Sequence, residues 1–263
     1  MQLTECSWLE VQAYLERSRT IVIPTGSTEQ HGPVGLIGTD ALTAEAIASA
    51  LGSHTGVLIA PTLTLSVDQF NLGFPGTIAL RATTLMAVVR DCLDSLAAQG
   101  FEHIYFLNGH GGNIAPVRSA IQDFYFDWSC GRRTGTPPRC RLRSWWDYAE
   151  VDQLRRQWWG SDEGMHATPS EISIVLAARP ESARLLQGSA AHQAREAPRA
   201  LTASFMRDHG GDNHLDAERH RAAFPDGRVG SHSIRASVEQ GRVLIAAAMR
   251  EARRDLEAFE AGH

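Results

Sequence analysis

The feature that most constrains the fold of this chain is a repeated alternation of short β-branched runs with longer amphipathic stretches. Short apolar runs bounded by turn residues are typical of strands, and the stretches between them are long enough for helices. A strand, a helix and a second strand in succession favour a parallel sheet, because the helix returns the chain across the sheet. The pattern therefore predicts an α/β fold, with a largely parallel sheet covered by helices on both faces.

Turn residues and helix formers set the expected bounds of these elements. We predict strands over residues 20–23, 57–60, 103–107 and 139–145, and helices over residues 41–51, 83–99, 114–126 and 233–259. We expect Thr83 to cap the second helix and Gly100 to end it. Residues 204–232 are rich in His, Asp, Gly and Arg and poor in aliphatic residues, which predicts a long surface excursion that covers a site or an interface.

Composition excludes several classes of protein. At 263 residues the chain can bury one large core, and we expect a single domain over residues 1–263. A formal charge of -5 gives no positive field for nucleic acid. No apolar run approaches the roughly 20 residues of a membrane span, and the first residues do not resemble a signal peptide. Four scattered cysteines form no CxxC pair. We therefore expect a cytoplasmic protein with no nucleic-acid or membrane partner.

Chemically active side chains follow two of the predicted strands. Glu29 and His31 come after the first strand, Asp40 lies a few residues further on, and His110 follows the third strand within a Gly-rich turn. In open parallel sheets the ligand crevice lies at the carboxyl ends of the strands, so both loops can point at one place. Carboxylates and imidazoles beside tight turns suit a divalent cation and its bound water.

Taken singly, these residues also have structural explanations. Asp40 could cap the helix that follows it, and His110 could be a hydrogen-bonded turn residue. The Gly-rich turn could cradle a phosphate, but it lacks the GxGxxG register and the P-loop lysine. The histidines of the excursion are expected to be solvent exposed, although one of them could border a site: His209, His214, His220 and His232.

Three segments together resemble the signatures of the creatininase, or creatinine amidohydrolase, family. The segments are Ile23-Pro24-Thr25-Gly26-Ser27-Thr28-Glu29-Gln30-His31-Gly32-Pro33 with Gly38-Thr39-Asp40, then Asn108-Gly109-His110-Gly111-Gly112-Asn113, then His166-Ala167 with Glu171-Ile172-Ser173. Residues 74–77 (Phe-Pro-Gly-Thr) and 224–230 resemble two further elements of the family. The resemblance thus covers most of the chain.

That resemblance implies a three-layer α/β/α sandwich, a binuclear metal centre and hydrolysis of a C–N amide bond. It implies that Glu29 and His110 bind one metal, that His31 binds the other and that Asp40 bridges them. It also matches His166 to the family's catalytic histidine, which would carry a proton to the leaving nitrogen. Otherwise His166 would cap a helix that starts near Pro169. The implied cofactors are two divalent metal ions per chain, zinc first, with manganese or iron as alternatives.

Departures from the family pattern concern the second metal and the substrate. Creatininases carry a glutamate two positions after the histidine of the second signature, where this chain has Gly112. We predict that Glu171 replaces this glutamate as a metal ligand. We expect Glu171 to be a catalytic residue as well. Further departures occur at Val34-Gly35-Leu36, at Asp68-Gln69-Phe70 and at Ala167. Creatinine itself is therefore not the expected substrate.

Two functional hypotheses follow. The first is a metal-dependent amidohydrolase that uses an activated water to cleave a small cyclic amide, a formamide or a short peptide-like substrate. The second is a non-catalytic relative that binds a ligand or partner and keeps a structural metal. The family resemblance also implies a homo-oligomer, such as a hexamer. The doublets Trp145-Trp146 and Trp158-Trp159 could stack on a planar substrate or pack in the core, and they receive no site role here.

Overall fold

Four parallel strands form the centre of the molecule. The computed structural model describes residues 1–201 and 216–262. Its strands are β1 (Thr20–Thr25), β2 (Leu58–Ile59), β3 (His103–Asn108) and β4 (Arg139–Ser144). They pair in the order β2-β1-β3-β4, and every pairing is parallel. The largely parallel sheet predicted from the sequence is confirmed.

Helices cover this sheet on both sides. In the described residues they are α1 (Trp8–Leu15), α2 (Thr39–Thr55), α3 (Ala82–Ala98), α4 (Ile114–Ser129), α5 (Ala149–Trp158), α6 (Pro169–Ala178), α7 (Gly188–Arg195), α8 (Ala217–Ala223) and α9 (Val238–Glu260). Two short 3-10 turns, Gln69–Gly73 and Gly111–Asn113, lie in the loops that matter for the site.

The strand side chains alternate between two apolar cores. Ile21 and Ile23 face α3 and α4 in one core, whereas Val22 faces α2 and α9 in the other. Successive strand residues point to opposite faces, so an uninterrupted apolar run fills both cores at once. The result is the three-layer α/β/α sandwich that was expected.

Some element ends differ from the sequence prediction. The expected cap at Thr83 is wrong, because α3 begins one residue earlier and Arg81 is its N-cap, without a side-chain cap bond. Gly100 does follow the end of α3, with a φ of 94° that favours glycine. The second strand is shorter than predicted. The helices α1, α5 and α7 were not predicted at all.

The excursion predicted over residues 204–232 is partly buried where the structure describes it. Residues 204–215, with His209 and His214, lie outside the described residues. Residues 216–232 include α8 and several buried side chains, among them His220, Phe224 and Arg228. His220 is 1% exposed, not solvent exposed as predicted, since its ring packs on Phe70 and Phe224. His232 is partly exposed.

None of the helices in the described part of the chain is both long enough and apolar enough to cross a bilayer.

Candidate metal centre

The first two signature loops leave the same edge of the sheet. Thr25 and Asn108, the last residues of β1 and β3, are paired in register. Residues 26–38 then lead to α2, and the Gly-rich turn leads to α4. Both loops therefore open at the carboxyl ends of adjacent strands, where a ligand crevice is expected.

Asp40 lies at the centre of the cluster. Its Oδ1 is 2.8 Å from Nε2 of His31, and its Oδ2 is 2.7 Å from Nδ1 of His110. Ser27 donates a hydrogen bond from Oγ to the same Oδ2 at 2.8 Å. Asp40 is 2% exposed and lies within the first turn of α2, whose N-cap is Gly38. The capping role considered for Asp40 is therefore wrong, and its two oxygens face two different histidines.

Glu29 enters the cluster beside His110. Its Oε1 lies 2.9 Å from Nδ1 of His110 and 3.9 Å from Nδ1 of His166. Its Oε2 accepts a hydrogen bond from the Asn71 side chain. Glu29 is fully buried, and the His110 Nδ1 that faces its Oε1 also faces Asp40. Two buried carboxylates that share one imidazole nitrogen are costly unless further positive charge neutralises them.

Glu171 reaches the cluster from the first turn of α6. Its backbone N–H donates to Thr168 Oγ1 at 3.2 Å, and its Oε2 accepts from the Thr168 backbone N–H at 2.8 Å. This reciprocal capping box fixes the side chain. A carboxylate oxygen of Glu171 also lies within 4.8 Å of ligand atoms of His31 and Asp40. The third signature is thus brought to the first, as the sequence predicted.

His166 has a defined tautomer. Its Nε2 lies 2.7 Å from the backbone oxygen of Gln30, which can only accept, so Nε2 carries the proton. Nδ1 is then free to accept a proton, and it faces Glu29. The ring packs on that of His31, with centroids 4.5 Å apart. The helix does start at Pro169, but its cap is Thr168, so a capping role for His166 is wrong.

Burial and crowding perturb the acidity of these groups. Burial raises the pKa of Glu29 to about 8, although His110 opposes the shift. Burial likewise raises the pKa of Glu171 to about 7, against the opposing effect of His31. For His166, burial and the nearby His31 hold the pKa well below its usual value, so this imidazole is neutral. Such perturbed groups gathered at one point are typical of functional sites.

The histidines that contact Asp40 are shifted the other way. Burial alone would lower the pKa of His31, but Asp40 raises it to about 10. Burial alone would also lower the pKa of His110, but the carboxylates of Glu29 and Asp68 raise it well above its usual value. The surrounding carboxylates thus favour the positively charged, protonated form of both imidazoles. A bound cation would supply that positive charge instead.

The donor set fits divalent cations. Three overlapping groups have ligand atoms within 4.8 Å of one another: Glu29, His31 and His166; Glu29, Asp68 and His110; and His31, Asp40 and Glu171. All the ligands predicted from the sequence fall in these groups. Their carboxylate oxygens and imidazole nitrogens suit zinc, manganese or iron.

Asp68 was missed as a site residue. The sequence showed it only as a departure from the family pattern, before the 3-10 turn Gln69–Gly73. In the structure it is fully buried, with Oδ1 2.7 Å from Nε2 of His110. The signal that could have found it is a lone acidic residue in an otherwise neutral stretch, residues 61–73.

Gly112 occupies a position without room for a side chain. A Cβ built there would lie 2.4 Å from both His110 Nε2 and the backbone oxygen of Val67. Contacts this short are not tolerated without a shift of the backbone. In this structure there is thus no room at position 112 for the glutamate of the second signature.

A cavity of about 770 Å³ adjoins the cluster. Glu29, Asp40, His110, His166 and Glu171 contribute to its wall. The doublet Trp145-Trp146 lines it as well, together with His220 and Val229. Trp158 and Trp159 are not among its lining residues and pack against the core on the α9 side of the sheet. Part of the predicted excursion therefore does border the site.

Comparison with known proteins agrees with the fold and the motifs. The model of the family described as creatinine amidohydrolase matches residues 4–256. The mycofactocin precursor peptide peptidase of Mycolicibacterium smegmatis is 28% identical over 167 residues, 61% of this chain and 58% of that protein. The 3-dehydro-scyllo-inosose hydrolase of Thermotoga maritima is 27% identical over 181 residues, 65% of this chain and 54% of that protein. The chain thus spans about half the length of these curated relatives.

Solved structures share the fold over nearly the whole chain. A structure described as creatininase Mn has a TM-score of 0.80 and 22% identity, covering 98% of this chain and 97% of that one. A mutant creatininase described as the Zn-Zn type has a TM-score of 0.78 and 21% identity, with the same coverage of both chains. At this identity the likeness establishes the fold.

Proposed function

Because this chain belongs to the creatinine amidohydrolase family, a family of hydrolases, we propose that it is a metal-dependent amidohydrolase. The bond cleaved would be the C–N bond of a small cyclic amide, a formamide or a short peptide-like substrate. The attacking group would be a metal-activated water.

One observation carries this proposal: Asp40 divides its oxygens between two histidines. Oδ1 faces His31 at 2.8 Å and Oδ2 faces His110 at 2.7 Å. A carboxylate placed in this way can bridge two cations, each also bound by one imidazole. Glu29 and His110 would complete one site, and His31 with Glu171 would complete the other. Two cations held there would acidify a bound water and polarise the substrate carbonyl.

His166 is placed to move the proton. Since Nε2 is committed to the Gln30 carbonyl, only Nδ1 can accept a proton, and this atom faces the cluster. A neutral imidazole has a lone pair at Nδ1 that can accept a proton. His166 would therefore take up the proton of the attacking water at Nδ1 and release it to the leaving nitrogen. Its contact with the Gln30 carbonyl holds the ring in position throughout.

The cavity supports a small substrate. Its wall joins the carboxylates and histidines to Trp145, Trp146 and the Gly-rich turn. Sites of a few hundred cubic ångströms hold small ligands or a few residues of a peptide. The named relatives act on a precursor peptide and on an inosose, so the family accepts more than one substrate class. We do not expect creatinine to be the substrate, because the loop that follows Pro33 departs from the creatininase pattern.

Metal analysis combined with hydrolysis assays tests the proposal. We expect two divalent ions per chain, with zinc as the first candidate, and loss of hydrolysis on chelation. Asp40→Asn should abolish the binding of both ions, because one side chain serves both sites. Asp123→Asn, at an exposed carboxylate of α4, is the control and should keep both ions.

The opposite outcome would favour the non-catalytic relative. One ion or none in the metal-replete protein, together with no hydrolysis across cyclic amides, formamides and short peptides, would overturn the proposed activity. The close packing around Gly112 favours the non-catalytic relative, since it leaves no room there for a ligand side chain.

Assembly and location remain proposals of the same kind. We propose a homo-oligomer, with a hexamer as the family precedent, and a cytoplasmic location. Exposed aromatic residues such as Trp8, 73% exposed, and Phe126, 50% exposed, offer apolar surface for subunit contacts. Sedimentation equilibrium of the purified chain tests the assembly.

A further inference from the structure

We propose that Asp68 is a positioning residue that holds His110 in the orientation and tautomer needed to bind a metal through Nδ1. The inference rests on the proposed metal centre and adds to it a residue outside the three signature segments.

The two nitrogens of His110 face different carboxylates. Nδ1 lies toward the cluster, 2.7 Å from Oδ2 of Asp40 and 2.9 Å from Oε1 of Glu29. Nε2 lies on the other side of the ring, 2.7 Å from Oδ1 of Asp68. A metal that shares Glu29 and Asp40 must therefore bind Nδ1, which leaves Nε2 to carry the proton and to donate it toward Asp68. An imidazole that binds metal on one side and faces a carboxylate on the other is the arrangement by which proteins orient such ligands.

In the part of the chain that the structure describes, the Asp68 carboxylate forms no ion pair other than that with His110. It is 0% exposed, and apart from the contact with His110 neither of its oxygens has a hydrogen-bond partner among the described residues. A buried carboxylate without donors is destabilising on its own. The Nε2–H of His110 is the group that faces this carboxylate, at 2.7 Å.

The segment that carries Asp68 also explains Gly112. The backbone oxygen of Val67 lies 3.4 Å from Nε2 of His110 and would lie 2.4 Å from a Cβ at Gly112. The same stretch of chain therefore excludes a side chain at Gly112 and brings a carboxylate to the far side of His110. This chain thus lacks a carboxylate at position 112 but has one at position 68, beside the same histidine.

A direct bond from Asp68 to the metal is the competing role. Asp68 does fall in a group with Glu29 and His110 whose ligand atoms lie within 4.8 Å of one another. We favour the positioning role because Asp68 contacts the nitrogen that points away from Asp40. The two roles differ in what happens to metal stoichiometry at saturation.

Zinc titration of the full chain separates these roles. Zinc binding is measured by competition with a chromophoric chelator in the wild type, Asp68→Asn and Asp68→Ala. We expect Asp68→Ala to lower the affinity for one of the two zinc ions roughly 10- to 100-fold and to change the affinity for the other by no more than about threefold. Asp68→Asn retains the shape and an acceptor oxygen, so it should fold and show a smaller loss. Asp152→Asn, at a half-exposed carboxylate on α5, is the matched control and should bind zinc like the wild type.

Each outcome decides the proposal. The proposal is supported if both variants bind two zinc ions at saturation and the affinity for one ion falls more in Asp68→Ala than in Asp68→Asn. Unchanged affinities, equal weakening of both ions, or a single ion at saturating zinc would overturn it, the last because Asp68 would then be a ligand. Failure of the proposed function is distinguishable: a wild type that binds two zinc ions but hydrolyses no amide leaves the role of Asp68 intact.

Discussion

Two neighbouring glycines of the second loop have opposite surroundings. A Cβ at Gly112 would meet His110 Nε2 and the Val67 oxygen at 2.4 Å, whereas a Cβ at Gly111 would meet nothing within 4 Å. We therefore expect Gly112→Ala to destabilise the protein by about 1–3 kcal/mol through overpacking. Because the displaced atom belongs to His110, metal affinity should fall as well. Thermal unfolding and zinc titration measure both effects.

Gly111→Ala is the control for this prediction, since it adds the same methyl group one residue away. It should change the free energy of unfolding by no more than about 0.5 kcal/mol. Equal effects of the two substitutions would show that the packing around Gly112 is wrongly described.

Ala167 is the only described non-glycine residue with a positive φ, at 57°. It is fully buried and follows His166 directly. The left-handed conformation costs about 1–2 kcal/mol for a residue with a Cβ, whereas glycine loses about 0.5–1 kcal/mol through its greater freedom when unfolded. A buried methyl group contributes about 0.8 kcal/mol. Ala167→Gly should therefore be nearly neutral, within about 1 kcal/mol.

Ala167→Val separates strain from burial at the same position. A β-branched residue is a genuine outlier at this φ, and Ala167 is fully buried, so we expect a loss of more than about 2 kcal/mol. Chemical denaturation of the two variants measures the difference. A valine variant as stable as the glycine variant would contradict the assigned backbone conformation.

At the level of elements, α6 serves both the fold and the site through one residue. Glu171 completes the capping box with Thr168 and also points toward His31 and Asp40. Glutamine can accept the same backbone hydrogen bond, so Glu171→Gln should leave the stability of the metal-free protein within about 0.5 kcal/mol. It removes the charge, however, so we expect the ion shared with His31 to be lost. Metal analysis alongside unfolding of the metal-free protein checks both halves.

Thr168→Ala is the reciprocal variant. Loss of this N-cap should cost about 1 kcal/mol while both ions remain. Two ions in Glu171→Gln would show that Glu171 does not replace the ligand missing at Gly112.

Several of the predicted elements have a recognisable apolar pattern, either a continuous run or helical spacing. The runs at β1 and β3 are apolar on both faces because both faces are buried, and α3 and α9 show helical spacing. The part of the excursion that is described was misread, because several of its buried residues are polar and paired with their surroundings. Arg228, 1% exposed, donates to Asp226 and to the carbonyls of Ala194 and Glu196. Composition alone cannot reveal such pairing.

The candidate site shows the same limit at the scale of the whole molecule. Glu29, His31, Asp40, His110 and Glu171 could be predicted because they lie in segments that resemble a family, and parallel topology brings two of those segments to one sheet edge. Asp68 was missed, since its place beside His110 depends on a tertiary contact between loops 42 positions apart, and a lone acidic residue is a weak signal. The single-domain prediction stays a prediction.

The metal centre joins segments that are distant in the sequence, so bound metal should stabilise the molecule as a whole. Ions bound there would join the loop after β1, the start of α2, the Gly-rich turn and α6. At a free metal concentration 100 times Kd, each site adds about 2.7 kcal/mol. For a domain near this size, 1 kcal/mol corresponds to roughly 2–4 °C in Tm, so chelation should lower Tm by roughly 5–10 °C for each ion removed. Asp40→Asn should show almost no response to the chelator, because it holds neither ion. Calorimetry at several free zinc concentrations measures the shift, and a wild-type Tm independent of zinc would contradict a cation-linked centre.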